Sequence, residues 1–274
     1  MKTMSLNGGK QKKIKEQFEK YGLNPNKVLG QNFLVDDDAV STLIDAARIQ
    51  KEDTIIEVGP GTGVITQELI KHAKQVTVVE KDPDMVHLLK EKFKNTKNID
   101  IVEGDILKFK PPNSNYKIIG NPPYYLTARL FRHFLEEVDT PPSSIAVIIQ
   151  KEVAEKISAK KDKMNLLAVS VQLYGEVGMI KKVSRSSFWP QPNVDSAILT
   201  VDNIQKPSID EKKFFRLVRA GFSSPRKQLA NNLSFKLKIN KAKVEKDLKH
   251  INIEPSRRAE TLTIEEWKKV ENYF

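Results

Sequence analysis

Short apolar runs alternate with helix-period segments through the first two hundred residues. Runs at 54–58, 75–79, 100–102, 116–119 and 144–149 have the length and β-branched content of buried strands. Between them, residues 39–47, 64–72, 83–93, 127–137, 152–158 and 166–174 carry apolar positions at helical spacing. Strand–helix alternation of this kind predicts a parallel sheet covered on both faces. Runs near 178–183 and 195–201 have no helix between them, so an antiparallel hairpin should close the sheet.

Beyond residues 203–208, which read as a linker, only helical patterns remain, at 210–221, 226–234, 241–250 and 264–273. The expected organisation is therefore a sheet domain over 1–202 and a small helical domain over 203–274. At the other end, residues 1–10 look disordered, and 13–21 read as a short basic helix ended by Gly22-Leu23-Asn24-Pro25.

Composition narrows the classes. The 274 residues include no Cys, and the four His are scattered, so thiolate and zinc sites are not expected. No apolar stretch reaches a membrane span and the start lacks a signal-peptide core, so a cytoplasmic protein without membrane contact is expected. Nothing demands an oligomer, and a monomer is expected. The net charge is +11. Residues 203–274 hold 17 Lys and Arg against nine Asp and Glu, a balance of +8. That excess favours a polyanionic partner, most often nucleic acid, and 203–274 is expected to be a helical RNA-binding domain. Arg226 and Lys227, after Ser223-Ser224-Pro225, are candidates for gripping an RNA backbone.

Candidate chemistry falls at strand ends. Glu57-Val58-Gly59-Pro60-Gly61-Thr62-Gly63 follows the first sheet strand. Its glycines let the backbone turn tightly beside a ligand, but the spacing is not that of dinucleotide binders, and no phosphate-loop Lys follows. A nucleoside lacking pyrophosphate fits better. Glu80, ending the second strand, can accept both hydroxyls of a ribose, and Asp105, after the third, can accept from an adenine amine. Asn121-Pro122-Pro123-Tyr124 follows the fourth. Asn offers a carbonyl acceptor, the prolines outward carbonyls and Tyr a flat face, a set suited to a flipped-out base bearing an exocyclic amine. Together, these four strand ends point to an S-adenosylmethionine pocket.

The chain at this point resembles the class I S-adenosylmethionine-dependent methyltransferases with a Rossmann-like sheet. More narrowly, it resembles the small-subunit (16S) ribosomal RNA adenine N6,N6-dimethyltransferases. Five segments carry the likeness: Leu29–Leu34, Glu57–Gly63, Asn121–Tyr124, Phe188-Trp189-Pro190-Gln191-Pro192-Asn193-Val194-Asp195-Ser196, and Arg257-Arg258-Ala259-Glu260-Thr261-Leu262. The resemblance implies that Asn32, Leu34, Gly59, Gly61, Glu80, Asp105 and Asn121 contact the cofactor. It also implies that Asn121 serves the target amine, with Tyr124 and Phe188 on the two faces of the adenine; the residues themselves offer the Pro122 carbonyl as a second acceptor for that amine. The implied partner is small-subunit rRNA, within the 30S subunit or its precursor. Pro122 stands where the family usually has an aliphatic residue, and Tyr125 replaces a frequent Asn. Two alternatives stay open: a 23S rRNA adenine methyltransferase of the macrolide-resistance type, and a non-catalytic assembly or transcription factor on the same fold.

Overall fold

A computed structural model describes the backbone over residues 3–274 and the side chains from residue 9 onward. The chain divides into two compact units. The first runs through Ala154 and resumes over Glu176–Ile204; the second comprises Glu155–Gly175 and Gln205–Phe274.

The first unit is built on a seven-stranded sheet. Its strands are β2 (Thr54–Val58), β3 (Gln75–Glu80), β4 (Ile99–Glu103), β5 (Lys117–Gly120), β6 (Ser144–Gln150), β7 (Glu176–Val183) and β9 (Ser196–Asp202). Their spatial order is β4-β3-β2-β5-β6-β9-β7. The first five are parallel, and β9 runs antiparallel between β6 and β7. The expected mostly parallel sheet with an antiparallel hairpin is thus present. Two further short strands, β1 (Phe33–Leu34) and β8 (Phe188–Trp189), pair with each other outside it.

Helices α2 (Asp37–Ala47), α3 (Val64–His72), α4 (Pro83–Phe93) and α5 (Thr127–Arg132) follow as the periodicity predicts. Asp36 caps α2 by accepting from the Asp38 and Ala39 amides, and Asp82 caps α4 from the Asp84 amide. The 127–137 segment is helical but irregular: after α5 its last turn, His133–Glu137, is a π-turn closed by Val138 N–H on the His133 carbonyl. The core fills with Ile55, Val76, Val78, Ile119 and Ile148 from strand interiors and Leu43 and Leu69 from helices.

The N-terminal expectation needs correction. Helix α1 spans Thr3–Tyr21, so residues 3–10 are helical; residues 1 and 2 lie outside the described part. Ile14 and Phe18 bury against Phe33, Val35, Met85 and Leu88, and that anchor supports a helix which extends cheaply once nucleated.

The second unit is helical: α7 (Leu166–Gln172), α8 (Glu211–Gly221), α9 (Leu229–Leu237), α10 (Lys241–His250) and α11 (Ile264–Tyr273). Helix α6 (Lys151–Ile157) leads into it. Chain order predicts a break near 203, but contacts also draw residues 155–175 into this unit. The Tyr174 carbonyl accepts from Gln205 N–H at 2.9 Å, its hydroxyl donates to Glu211, and Met164 N–H reaches the Glu260 carbonyl at 3.0 Å. Phe214, Val218, Leu233, Leu248 and Trp267 form the fully buried interior. The capping box Thr263/Glu266 starts α11, and Arg257 grips the Glu266 carboxylate with both Nη atoms.

Candidate active site

Parallel pairing puts the carboxyl ends of β2, β3, β4 and β5 on one edge. Val58 pairs with Val79 on one side and Gly120 on the other, and Glu80 pairs with Glu103. The four predicted strand-end motifs therefore meet although about 65 residues of chain separate Glu57 from Asn121. They line one cleft, to which Asn32, Gly59, Gly61, Glu80, Asp105, Asn121, Pro122 and Tyr124 all contribute.

Two glycines make this convergence sterically possible. Gly59 has φ +69°, and a Cβ there would stand 2.4 Å from the Asn121 carbonyl oxygen. Gly120 has φ +153°, and its Cβ would stand 2.1 Å from the Val58 carbonyl oxygen. Any side chain at either position would push β2 and β5 apart at the cleft.

Each polar group is held by the backbone around it. Glu80 Oε1 accepts from the Lys81 and Asp82 amides at 2.8 and 2.9 Å. Burial raises its pKa, opposed by these same amides. A backbone interaction with Gly61 opposes it as well, tying the carboxylate to the glycine loop. Asp105 accepts from Leu107 N–H at 3.0 Å, while Lys81 Nζ lies 3.6 Å from its second oxygen. Asn121 Nδ2 donates to the Asn32 carbonyl at 3.1 Å, which leaves Oδ1 as the free acceptor. The Tyr124 hydroxyl shares a 2.7 Å hydrogen bond with the buried Ser196 hydroxyl. Burial raises the Tyr124 pKa.

Two expected contact residues are not brought to the cleft. Phe188 is 3% exposed and Leu34 4%, and both belong to the core cluster with Val183 and Ile198. They pair across β1 and β8, and burial of their side chains outweighs display at the cleft. Arg226 and Lys227 are exposed, as expected, but in the turn before α9 rather than in its first turn. Lys227 N–H closes that turn on the Ser224 carbonyl at 3.0 Å.

Sequence reasoning did not single out three supports. Gln31 Nε2 donates to Asp82 at 2.6 Å, tying the 26–32 loop to the start of α4. Ser196 acts on Tyr124 from 72 residues away, which no local pattern reveals. Glu57 is completely buried at the base of the glycine loop, and neither carboxylate oxygen has a hydrogen-bond partner. Desolvation pushes its pKa up to about 8, against the pull of nearby Thr66 and Lys92. The signal was present: a carboxylate within an otherwise apolar strand.

The donor set fits an adenosyl ligand. Glu80 and Asp105 put two carboxylates on one cleft, as ribose hydroxyls and an adenine amine require, and the glycine loop offers backbone without side-chain bulk. Strand order, antiparallel last pair and a cleft along the carboxyl edge define a class I methyltransferase. Two solved structures have this fold over most of the chain. One is a dimethyladenosine transferase from Plasmodium falciparum (TM-score 0.77, 25% identity, 87% of this chain and 95% of that one). The other is the 23S rRNA methyltransferase ErmE (TM-score 0.73, 26% identity, 88% and 99%).

The family model described as ribosomal RNA adenine dimethylase matches residues 22–274. The chain belongs to that family. It is 43% identical over 264 residues to a ribosomal RNA small subunit methyltransferase A of Dehalococcoides mccartyi, covering 93% of this chain and 90% of that protein. It is 39% identical over 266 residues to the protein of the same name in Clostridium botulinum, covering 93% and 96%.

Proposed function

We propose that this protein transfers methyl groups to the N6 amines of two adjacent adenines in a loop near the 3′ end of small-subunit rRNA. The product is N6,N6-dimethyladenosine, and the substrate particle is the 30S subunit or its precursor. The observation that carries this reading is the oriented amide of Asn121 beside the Pro122 carbonyl and the Tyr124 ring. S-adenosylmethionine, the donor this class of fold implies, would supply a methyl group already activated on a sulfonium.

An adenine amine is a poor nucleophile because its lone pair is delocalised into the ring. Asn121 Oδ1 and the Pro122 carbonyl accept its two N–H groups and draw the nitrogen toward sp³. The lone pair is then aimed at the methyl carbon. Bound S-adenosylmethionine would supply the methyl group, with the bonding pair left on its sulfur, while Asn121 and Pro122 hold the amine in line; the nitrogen would then lose a proton to water. Catalysis here is position and local electrostatics. Tyr124 holds the base by its face, and Ser196 holds Tyr124. Glu80 takes the donor's ribose and Asp105 its adenine amine, while Gly59 and Gly61 let the backbone approach. Target bases in loops are the cheapest to unstack. Arg226 and Lys227, exposed in their turn, meet RNA phosphates.

Relatives at 39–43% identity carry the small-subunit name, whereas the 23S enzyme is 26% identical; this supports the small-subunit substrate. The test is transfer of labelled methyl groups to naked RNA and to small and large ribosomal subunits, followed by mapping of the modified base. Label on adjacent adenines of small-subunit RNA is expected. Label on large-subunit RNA alone would overturn the substrate assignment, and no label on any RNA would overturn the activity.

A further inference from the structure

Helix α4 reaches the glycine loop from outside the cleft. Gly61 lines the cleft, whereas Thr62 and Lys92, the latter in the last turn of α4, line a separate cavity bordered by α1, α2 and α3. Lys92 Nζ donates to the Thr62 carbonyl at 2.9 Å and to the Gly63 carbonyl at 3.1 Å. Two neighbours in α4 close on the same point. Gly63 has φ +73°, and a Cβ there would stand 2.8 Å from the Phe93 ring and 2.9 Å from Leu89. The Pro60 carbonyl accepts from Gly63 N–H at 2.8 Å, so residues 60–63 form one closed turn. The last turn of α4 grips that turn by its carbonyls and by a bare α-carbon.

Helix electrostatics disfavour a cation at this place. Gly63 is the N-cap of α3, and the amino end of a helix repels positive charge. The Gly63 carbonyl already accepts from Gln67 N–H at 3.2 Å, so α3 starts without the lysine. Lys92 is an exposed residue whose four-carbon stem could carry the ammonium into water, yet it turns to the loop. Glu57 is the acidic group that favours its charge. With its own pKa pushed up to about 8, Glu57 is largely protonated at neutral pH and holds a lysine only weakly. The two loop carbonyls remain as the attraction. At the other end of α4, the Asp82 amide donates to Glu80 and the Asp82 carboxylate accepts from Gln31. One helix therefore fixes the ribose-side carboxylate at its start and the glycine loop at its end.

We propose that Lys92 is a positioning residue for the methyl donor: it holds the 60–63 turn at the setting in which the loop backbone meets S-adenosylmethionine. The assignment rests on the methyl-transfer reading above. Lys92 does not line the cleft, so it acts on donor binding through the loop and not on the transfer itself. A loop held in place beforehand loses less freedom when the donor arrives, and the difference appears in affinity. Transfer depends on Asn121, Pro122 and Tyr124 at another strand end, so the rate at saturating donor is spared.

The experiment compares the full-length wild type with Lys92→Met, which keeps an unbranched stem and removes the donor group. Calorimetric titration with S-adenosylmethionine is expected to show affinity weaker by about five-fold or more. KM for the donor should rise in step, while kcat at saturating donor stays within about two-fold. Without donor, hydrogen exchange at the loop amides of residues 59–63 should quicken in the variant while the amides of β6 hold. The same loss of affinity is expected when Lys92→Met is made in a Glu57→Gln background. A loss that vanishes there would show that Lys92 only balances the Glu57 carboxyl, and would overturn the proposal. Unchanged affinity and loop exchange, or a fall in kcat alone, would overturn it too. If Lys92→Met melts early, wild-type protein decides. By reciprocal coupling, bound donor should slow acetylation of Lys92 by acetic anhydride relative to Lys94, and equal rates with and without donor would overturn the proposal. A wild type that binds no S-adenosylmethionine would overturn the methyl-transfer reading itself. Failure of the Lys92 assignment alone shows instead as unchanged affinity beside a wild type that binds.

Discussion

Asn121 Nδ2 donates to the backbone carbonyl of Asn32, 3.1 Å away. One hydrogen bond thereby sets which end of the amide faces the cleft, and it spans 89 positions of chain. The side chain at the end of β5 is aimed by the loop that precedes β1. In the proposed function this lets Asn121 accept from a target amine without reorienting during transfer, which is the condition for electrostatic preorganisation.

Asn121→Ala removes that acceptor. Single-turnover methyl transfer is expected to slow by about 10² to 10³-fold, the scale seen on loss of one preorganised polar group. Asn121 is only half-buried, so the melting temperature should move little. A variant transferring methyl groups near the wild-type rate would sink the assigned role.

Ser196 is expected to act through Tyr124. Ser196→Ala leaves the tyrosine hydroxyl without its 2.7 Å partner and frees the ring to rotate. The rate at saturating RNA should fall several-fold while S-adenosylmethionine affinity holds. Tyr124→Phe should cost a similar amount, and the double variant little more than either single change, because both remove the same bond. Strictly additive losses would show that the two residues act separately.

Glu57 gives the fold a pH dependence. Its carboxyl ionises near 4.5 as a free group but only near pH 8 when folded, because burial disfavours the charge. Between these values the folded state holds the extra proton, so stability falls as pH rises, by up to about 1.4 kcal/mol per pH unit, and levels off above pH 8. Glu57→Gln should flatten this part of the stability curve and raise the melting temperature at pH 7.5. Identical pH slopes for the two proteins, measured by thermal melts between pH 5 and 9, would contradict the account.

Phe188 is placed in the core, and its truncation should read as a packing loss. Phe188→Ala is expected to destabilise the first unit by about 3–5 kcal/mol, as for other large-to-small core changes. Chemical denaturation with and without S-adenosylmethionine checks this. A variant of unchanged stability but lost RNA methylation would return Phe188 to the base-binding role the family resemblance implies.

Local pattern was enough to place the architecture and most of the cleft. Apolar runs with helix-period segments between them determine parallel strands, and parallel strands put Gly59, Glu80, Asp105 and Asn121 on one edge whatever the loops do. Those residues sit at strand ends, where a one-dimensional reading is geometrically informative. Only the tertiary structure decided the facing of Phe188 and Leu34, the full length of α1, and the union of residues 155–175 with the C-terminal helices. It alone revealed the bonds that aim Asn121 and Tyr124. The physical reason is range. Periodicity reports which side of an element is apolar, but which distant surface covers that side depends on loop closure and on competition among many burials.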